Sequence, residues 1–348
     1  MKLLAHNYRF LHLPRFAAGF AFSCLIISAP LQASDNEPLV WPAPPAEARI
    51  AFVQSFSEPK DLGIKKGIFG RIGEIFTGSE SNQLIRPMSV LETNGVIYVG
   101  DPGARAVHRF DTRRGRHALL RRTKDQPLPS PVGLARGKHG KVYIADSILG
   151  GVFVASAKAK FVEPMALDTP LKQPTGIAFD RQTGNLYVAD TASHRILVFN
   201  EAGKLIQSVG QRSDAAAGFN YPTMLWRTAE GELLVTDSLN FRIQTFDADG
   251  KYLRSFGKLG NATGYMSRPK GVATDSAGNI YVVDALFHAL QIFDSRGELL
   301  LYLGKQGSAD GEFWLPTGIY IGDDQKIYVA DSHNRRIQVF RPAGGKAS

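Results

Sequence analysis

Short apolar runs with a two-residue alternation recur along most of the chain, and segments rich in Gly, Asp and Asn separate them. Residues 328–340, YVADSHNRRIQVF, have close copies at 187–199, YVADTASHRILVF, and at 234–246, LVTDSLNFRIQTF. Alternating apolar and polar positions are typical of half-buried strands, and the segments between them are typical of turns. The pattern therefore predicts a chain built from many short antiparallel strands.

Six units share this pattern, each with a Pro, an apolar strand, a turn, a YVAD-like strand and a RIxVF-like strand. The Asp that ends the second strand recurs at intervals of 44 to 47 residues, as Asp101, Asp146, Asp190, Asp237, Asp284 and Asp331. The Pro recurs at intervals of 43 to 48 residues, as Pro87, Pro131, Pro174, Pro222, Pro269 and Pro316. Two independent markers thus share one period.

Each unit predicts four short strands, and a sheet of that size cannot bury both of its faces alone. Six such sheets arranged radially can, so we predict an all-β, six-bladed β-propeller of four-stranded antiparallel blades. The sixth unit ends after its third strand, at 336–340. Residues 49–57, RIAFVQSFS, resemble the fourth strand at 251–257, KYLRSFG. We therefore expect this N-terminal strand to complete the last blade and leave no open sheet edge.

The N-terminus has the features of an export signal. Lys2, Arg9 and Arg15 precede or border the apolar run 17–30, and LQASD offers cleavage after Ala33. We expect an exported protein, periplasmic or associated with the cell envelope, and an uncleaved anchor is the alternative. The single cysteine, Cys24, lies in this run. Cleavage would leave no cysteine, which excludes a disulfide, a Cys-ligated metal and a thiol nucleophile.

The predicted organisation is a signal peptide at 1–33, a Pro-rich lead-in at 34–48, the propeller at 49–342 and a tail at 343–348. An insertion at 58–86 interrupts the propeller. Ile64, Ile68, Phe69, Ile72, Ile75 and Phe76 recur there at helical spacing, which predicts a short helix. It would pack on the propeller, or serve as a lid, a partner helix or a membrane-surface contact.

The repeated residues resemble a known family. P-T-G-I followed by YVAD-x4-RI-x-VF, with G-x-F-x-x-P before the Pro, is similar to the NHL repeat across residues 84–340. The resemblance implies a six-bladed propeller. NHL propellers include RNA-binding domains, sensor domains of bacterial kinases, amidating lyases that use a metal, and many exported bacterial proteins. The resemblance is therefore specific for the fold and says little about function.

The six repeated Asp residues suggest structure rather than chemistry, because a chemical site is needed once and not six times. We expect each carboxylate to accept backbone N–H bonds in the following turn. Arg195, Arg242 and Arg336 follow their Asp by five residues, which predicts an ion pair across each of three hairpins.

Candidate chemistry is sparse. His194, His288 and His333 lie in turns after an Asp and could bind zinc, which the metal-using lyases of this fold also suggest. His at this position is, however, ordinary in NHL repeats. The sequence holds no G-x-S-x-G, phosphate loop or H-E-x-x-H. We therefore nominate no catalytic residue and expect no cofactor, with a metal ion as the alternative.

Candidate binding residues gather at one end of the predicted propeller. In a four-stranded blade, the turn from the second to the third strand and the link to the next blade lie at the same end. The turns bring Arg105, Phe241, Phe287, His288, His333 and Arg335 there, and the links bring Tyr221, Arg268 and Trp314. Aromatic and Arg side chains are enriched in binding surfaces.

The first unit carries an unusual basic segment, DTRRGRHALLRRTK, with Arg113, Arg114, Arg116, Arg121 and Arg122. It predicts a basic rim on one blade, either a solvated sheet edge or a contact for an anionic membrane or glycan. The net charge of the whole chain is +9, which does not by itself indicate nucleic acid, and export makes nucleic acid an unexpected partner.

Taken together, these patterns predict a non-catalytic scaffold that presents one loop-bearing face to a protein partner in the envelope. The alternatives are a metal-dependent lyase or hydrolase with its site on the same face, and a ligand-sensing propeller.

Overall fold

The computed structural model describes residues 38–65 and 82–343. The signal peptide, most of the predicted insertion helix and the end of the tail lie outside these residues. Among the described residues, no helix has the length and apolar character needed to cross a membrane. The described chain forms six antiparallel sheets in a ring, which confirms the predicted six-bladed β-propeller.

The strands follow one another from the first blade to the last. β1 (Val40–Trp41) and β2 (Ile50–Phe56) come first and belong to the sixth blade. Blade 1 holds β3 (Ser89–Thr93), β4 (Val96–Asp101), β5 (Ala106–Asp111) and β6 (Arg116–Leu120). Blade 2 holds β7 (Pro131–Arg136), β8 (Val142–Asp146), β9 (Gly151–Ala155) and β10 (Glu163–Pro164). Blade 3 holds β11 (Pro174–Phe179), β12 (Leu186–Asp190), β13 (Arg195–Phe199) and β14 (Leu205–Val209).

The remaining blades repeat this order. Blade 4 holds β15 (Pro222–Arg227), β16 (Leu233–Asp237), β17 (Arg242–Phe246) and β18 (Tyr252–Phe256). Blade 5 holds β19 (Pro269–Thr274), β20 (Ile280–Asp284), β21 (Ala289–Phe293) and β22 (Leu299–Leu303). Blade 6 holds β23 (Ile319–Ile321), β24 (Ile327–Asp331) and β25 (Arg336–Pro342). Short 3-10 helices span Pro59–Leu62, Lys138–Gly140, Thr191–Ser193 and Ser238–Asn240.

The N-terminal strand closes the ring, as the sequence predicted. β2 pairs antiparallel with β25, with Phe52 opposite Phe340 and Phe56 opposite Ile337. The lead-in contributes β1, which pairs with β2 through Val40 and Trp41 and makes blade 6 five-stranded. The sequence did not predict β1, because two residues are too few for an alternating pattern.

The first strands of the six blades surround the axis, and each contacts the first strand of the next blade. Gly lies two residues after the Pro in four of them because the next strand leaves no room for a side chain. A Cβ on Gly133 would lie 2.0 Å from the Thr175 carbonyl oxygen, and one on Gly176 would lie 2.2 Å from the Thr223 carbonyl oxygen. The apolar core fills the spaces between neighbouring blades, as between blades 6 and 1, where Phe56 packs with Phe110.

The start of the insertion is part of this core. After the 3-10 helix Pro59–Leu62, Gly63 adopts a left-handed conformation (φ 70°) and Ile64 is buried between blades 6 and 1. Leu84 is buried in the same cluster where the chain returns. Five of the six apolar positions of the predicted helix, from Ile68 to Phe76, lie outside the described residues.

Candidate functional site

The six repeated Asp side chains are all fully buried, and each joins the second strand of its blade to the link that precedes that blade. Every carboxylate accepts a backbone N–H from one or both of the two residues before the repeated Pro. Asp284, for example, accepts from Ser267 N at 2.7 Å and from Arg268 N at 3.0 Å. The corresponding donors in the other blades are Ile85, Arg86, Ser130, Lys172, Gln173, Asn220 and Trp314.

The second set of bonds to each Asp depends on whether the blade has an Arg five residues later. In blades 4 and 6 the carboxylate accepts from the Arg242 and Arg336 Nε atoms, each at 2.8 Å. Blades 1, 2 and 5 lack that Arg, and the carboxylate accepts turn N–H groups instead, as Asp146 does from Ile148 and Leu149. The Asp residues without an Arg therefore have a full set of partners.

Blade 3 departs from the prediction. The expected ion pair between Arg195 and Asp190 does not form, since the Arg195 Nε and the Asp190 Oδ2 are both buried without a hydrogen-bond partner. Blades 4 and 6 have Asn240 and Asn334 side chains that donate to the same Asp oxygen as the Arg, and blade 3 has Ser193 at that position. The sequence interval between Asp and Arg is thus not sufficient to predict the pair.

The loop face is the end of the ring formed by these second-to-third-strand turns and by the last residues of the links. The turns are 102–105, 147–150, 191–194, 238–241, 285–288 and 332–335, and the link ends are 84–86, 127–130, 171–173, 219–221, 266–268 and 313–315. Backbone bonds join each turn to a link end, as from Thr191 N to Gln173 O and from Ala285 N to Arg268 O. Turns and links therefore form one continuous surface.

The nine predicted binding residues all belong to the loop face but differ in exposure. Arg105, Tyr221, Arg268, Trp314, His333 and Arg335 are exposed, whereas Phe241, Phe287 and His288 are half-buried. Phe241 packs against the core between blades 4 and 5, which gives it a structural contact. The Trp314 and His333 rings lie 5.7 Å apart, so blade 6 presents an aromatic pair.

The loop face contains basic residues but no acidic residues in its turns and link ends. Its twelve segments contain five Lys or Arg residues and no Asp or Glu; the cations are Arg86, Arg105, Lys172, Arg268 and Arg335. Seven large apolar side chains are exposed there, namely Ile85, Ile148, Leu149, Tyr221, Leu239, Leu286 and Trp314. Ile148 is 70 % exposed, the largest value among the exposed apolar side chains of the described residues. The face therefore combines exposed apolar area with exposed cations, and the buried Asp carboxylates lie beneath it.

Lys270 is a further cation near this face that the sequence analysis did not identify. It follows Pro269 in β19, at the position where blades 3, 4 and 6 have Thr175, Thr223 and Thr317. Burial and the nearby Arg268 guanidinium lower the pKa of Lys270. A comparison of the six units position by position would have singled it out.

Two of the three candidate metal ligands, His194 and His288, make structural hydrogen bonds, and the third, His333, is exposed beside Trp314. The Nδ1 atoms of His194 and His288 accept the backbone N–H groups of Tyr221 and Leu315, at 3.2 and 3.1 Å. Both His residues have positive φ, as do Tyr221 and Leu315, so these bonds hold the turn of one blade against the link of the next. Within residues 38–65 and 82–343, no group of three His, Cys, Asp or Glu side chains is arranged to hold a metal ion.

Blade 1 contains a buried histidine pair. The His108 Nδ1 and the His117 Nε2 lie 3.1 Å apart, and the His108 Nε2 lies 3.6 Å from the Asp101 Oδ2. Burial lowers the pKa of His108 to about 4 and that of His117 to about 3. His108 takes the position of Gln244, Gln291 and Gln338 in blades 4 to 6. Both histidines are therefore neutral at physiological pH.

The five residues of the predicted basic rim lie at both ends of β6, the outer strand of blade 1. Arg113, Arg114 and Arg116 are exposed around the turn that starts β6, and Arg121 and Arg122 follow the other end of that strand. Arg114 pairs with Asp111 at 3.1 Å, and the Arg122 guanidinium lies 5.9 Å from the centre of the Phe153 ring. The segment is thus spread along the outer edge of blade 1.

Comparison with known proteins supports the fold and leaves the activity open. Streptogramin B lyase superposes with a TM-score of 0.57 at 15 % identity, over 74 % of this chain and 94 % of that chain. A protein of unknown function from Bacteroides thetaiotaomicron gives 0.60 at 15 % identity, over 75 % and 70 %. A catalytically inactive virginiamycin B lyase from Staphylococcus aureus with quinupristin gives 0.55 at 15 %, over 75 % and 96 %. At these identities the likeness shows the fold alone.

No curated protein matches the sequence of this chain. The family model of the NHL repeat matches residues 171–199, in blade 3, and residues 313–340, in blade 6. These segments contain two of the three copies of the thirteen-residue pattern that opens the sequence analysis. The chain is therefore a six-bladed β-propeller that carries NHL repeats.

Proposed function

We propose that this protein is an exported, non-catalytic binding propeller whose loop face docks an acidic, partly apolar surface of a protein partner in the cell envelope. The observation that carries the proposal is the composition of that face, which holds five cations, seven exposed large apolar side chains and no carboxylate outside the buried Asp residues. Contiguous exposed apolar area with a polar border is characteristic of interaction sites.

The backbone of this face is preorganised. The buried Asp carboxylates hold the link N–H groups, and the His194 and His288 rings hold the turn of one blade to the link of the next. A surface that does not rearrange on binding loses little conformational entropy, which favours affinity. The variable turn positions, such as Ile148, Leu239 and Leu286, then supply specificity on a constant frame.

Charge complementarity selects the chemistry of the partner. Exposed cations on a face without exposed carboxylates attract an acidic surface, speed its association and disfavour a basic one. The exposed aromatic and apolar side chains require apolar groups on the partner, as in the cores of protein interfaces. A protein segment that combines both properties fits the face better than a lipid headgroup layer, because the exposed apolar residues are spread over the turns of blades 2, 4 and 5 and the link ends before blades 1, 4 and 6.

Export rests on the N-terminal sequence, with its basic start, its apolar run and its cleavage site after Ala33. The absence of cysteine after that site suits an extracytoplasmic protein that does not depend on disulfides. A partner in the same compartment is the simplest consequence.

Site-specific photo-cross-linking in the producing cells tests the proposal. A photoreactive amino acid would replace Leu286 or Ile148 on the loop face, and Arg181 at the opposite end would serve as the matched control. We expect one protein to cross-link from both loop-face positions and not from Arg181, through a peptide rich in Asp or Glu. Arg268→Glu with Arg335→Glu should abolish the cross-link. Cross-links to lipid, to a basic peptide or equally from all positions would overturn the proposal.

A further inference from the structure

The axis of the ring contains a cavity of about 750 Å³ that the loop-face proposal does not use. Residues of all six first strands line it, from Leu91 in blade 1 to Tyr320 in blade 6. It opens among the first-to-second-strand turns, where Lys138, Arg181 and Asp323 line it. We call this end of the ring the turn face. The volume falls within the range of about 300–1,000 Å³ that is typical of small-molecule sites.

The cavity lining differs between blades at one position, four residues after the repeated Pro. This residue is Ala135 in blade 2 and Ala178 in blade 3, but Trp226 in blade 4 and Tyr320 in blade 6. The Trp226 and Tyr320 rings meet edge to face with centres 5.7 Å apart, and the Trp226 Nε1 donates to the Thr274 hydroxyl at 2.9 Å. The cavity therefore has small residues on one side and an aromatic wall on the other.

Arg227 supplies a buried donor that has no acceptor. Its side chain is 10 % exposed, its guanidinium donates to the Asp180 Oδ2 at 2.7 Å and to the Gly231 carbonyl, and it stacks on the Tyr187 ring at 5.1 Å. The Nε–H of the same group is buried without a partner. A buried donor without an acceptor is unfavourable by about 1–3 kcal/mol, so an acceptor inside the cavity would be stabilised there.

Arg136 supplies a cation whose present partner is easily displaced. It donates to the Asp323 Oδ2 at 2.6 Å, and the Asp323 side chain is 80 % exposed while that of Arg136 is 17 % exposed. The Asp323 carboxylate can therefore move out into water, whereas the Arg136 guanidinium stays at the mouth of the cavity. Glu92 lies near Arg136, but its carboxylate accepts the Gly95 N–H at 2.7 Å. The cavity lining holds four Lys or Arg residues against two Asp residues.

We propose that the axial cavity binds a small organic acid with an apolar body, with its carboxylate on Arg136 in place of Asp323. The apolar body lies against Ile177, Val272 and Ile319, between the small residues and the aromatic wall. A second acceptor group of the ligand, where it has one, meets the Arg227 Nε–H. The site lies at the opposite end from the loop face and does not depend on the proposed protein partner.

The matched pair 4-phenylbutyrate and 4-phenylbutyramide tests the inference by isothermal titration calorimetry on the mature protein. The two probes share shape and differ in charge. We expect the acid to bind at least about tenfold more tightly than the amide, which corresponds to about 1.4 kcal/mol for the contact with Arg136. Arg136→Gln should remove this difference, and Arg296→Gln, an exposed cation of an outer turn at the same end that does not line the cavity, should keep it.

Two further variants separate binding from folding. Asp323→Asn removes the competing carboxylate and should strengthen binding of the acid about two- to fivefold, a gain that misfolding would not produce. Ala178→Leu fills the cavity and should abolish binding of both probes. Failure of both probes to bind wild type at millimolar concentration would overturn the inference. Equal affinity for acid and amide, or unchanged binding to Ala178→Leu, would also overturn it.

Discussion

The two ends of the ring are built by different kinds of residue. At the loop face every blade uses the same buried Asp, which fixes the link and the turn through backbone N–H groups. At the turn face the decisive groups occur in only two blades each: Arg136 and Arg227 share one strand position, and Trp226 and Tyr320 share another. The loop face has an invariant frame with variable side chains, whereas the turn face has a cavity that only particular blades create.

This difference separates two ways in which a repeat fold acquires function. Residues that recur in every unit stabilise the ring, because each unit must solve the same packing problem. Residues that differ between units distinguish the sides of a ring that would otherwise be symmetric, and a site for one ligand requires such asymmetry. Variants of recurring and of non-recurring residues should therefore differ in their effects.

Asp237→Ala should destabilise the protein most, by about 3–5 kcal/mol, because it leaves buried donors and Arg242 without their acceptor. The donors are Asn220 N, the Asn240 amide and the Gln244 amide. Asp249→Ala, at an exposed turn of the same blade, is the control and should change stability little. Urea unfolding followed by circular dichroism measures both. Equal effects of the two changes would show that the repeated Asp is not a structural centre.

Arg242→Met and Arg195→Met compare two blades at the same position. Arg242 donates to Asp237 and to the Ala215 and Gly218 carbonyls, so its loss should cost about 2–3 kcal/mol. Arg195 has no bond from its buried Nε, so its replacement should cost less than about 1 kcal/mol. Guanidinium unfolding midpoints provide the comparison. A larger loss in blade 3 than in blade 4 would contradict the assignment of these contacts.

His108→Gln should alter the pH dependence of stability rather than the fold, since Gln occupies this position in blades 4 to 6. Below pH 6.5 the unfolded His108 takes up a proton that the folded protein, with a pKa of about 4, does not accept. Stability is therefore lost as the pH falls from 6.5 towards 4.

Between pH 6.5 and 5.0 this loss amounts to about 2 kcal/mol for His108. The variant should lose correspondingly less, and urea unfolding at the two pH values measures the difference. His139→Gln, at an exposed turn, is the matched control. Identical pH profiles for wild type and His108→Gln would show that the buried pair does not govern acid stability.

Lys270→Thr should have the smallest effect on stability, and it should stabilise the protein rather than destabilise it. It installs the residue of blades 3, 4 and 6 and removes a partly buried ammonium, so stability should rise by about 1 kcal/mol. Because the pKa of Lys270 is lower in the folded protein than in the unfolded chain, the free energy of unfolding of wild type rises as the pH approaches 10.5. The variant lacks this titrating group and should not show that rise. Thermal unfolding at pH 7 and pH 9.5 tests it. A destabilised variant would indicate that Lys270 has an acceptor in the folded protein.

Much of the fold was predictable because each sequence pattern of the repeat occurs in six units. The Asp and Pro periods fixed the number of blades, and the missing fourth strand of the last unit indicated closure by residues 49–57. β1 was not predictable, because its two residues show no periodicity. The Arg195–Asp190 pair was wrongly predicted, because pairing also depends on the neighbouring Asn that blades 4 and 6 have and blade 3 lacks.

The candidate sites were predictable only in part, for a physical reason. Strand connectivity placed the nine loop-face residues at one end, but it could not give the exposure of Ile148 or Leu286, which depends on turn conformation. The cavity was missed because its lining combines small residues, Ala135 and Ala178, with residues of blades distant in sequence. Its aromatic wall joins Trp226 and Tyr320, which are 94 residues apart.

The central claim is that the loop face, and not the turn face, holds the protein partner. The direct measurement is the affinity of the acidic segment found by cross-linking for wild type, for Arg268→Glu with Arg335→Glu, and for Arg136→Glu with Arg181→Glu. We expect the loop-face change to weaken binding by at least about tenfold and the turn-face change to leave the affinity within about twofold of wild type. Equal weakening by both changes, or a loss confined to the turn-face variant, would contradict it.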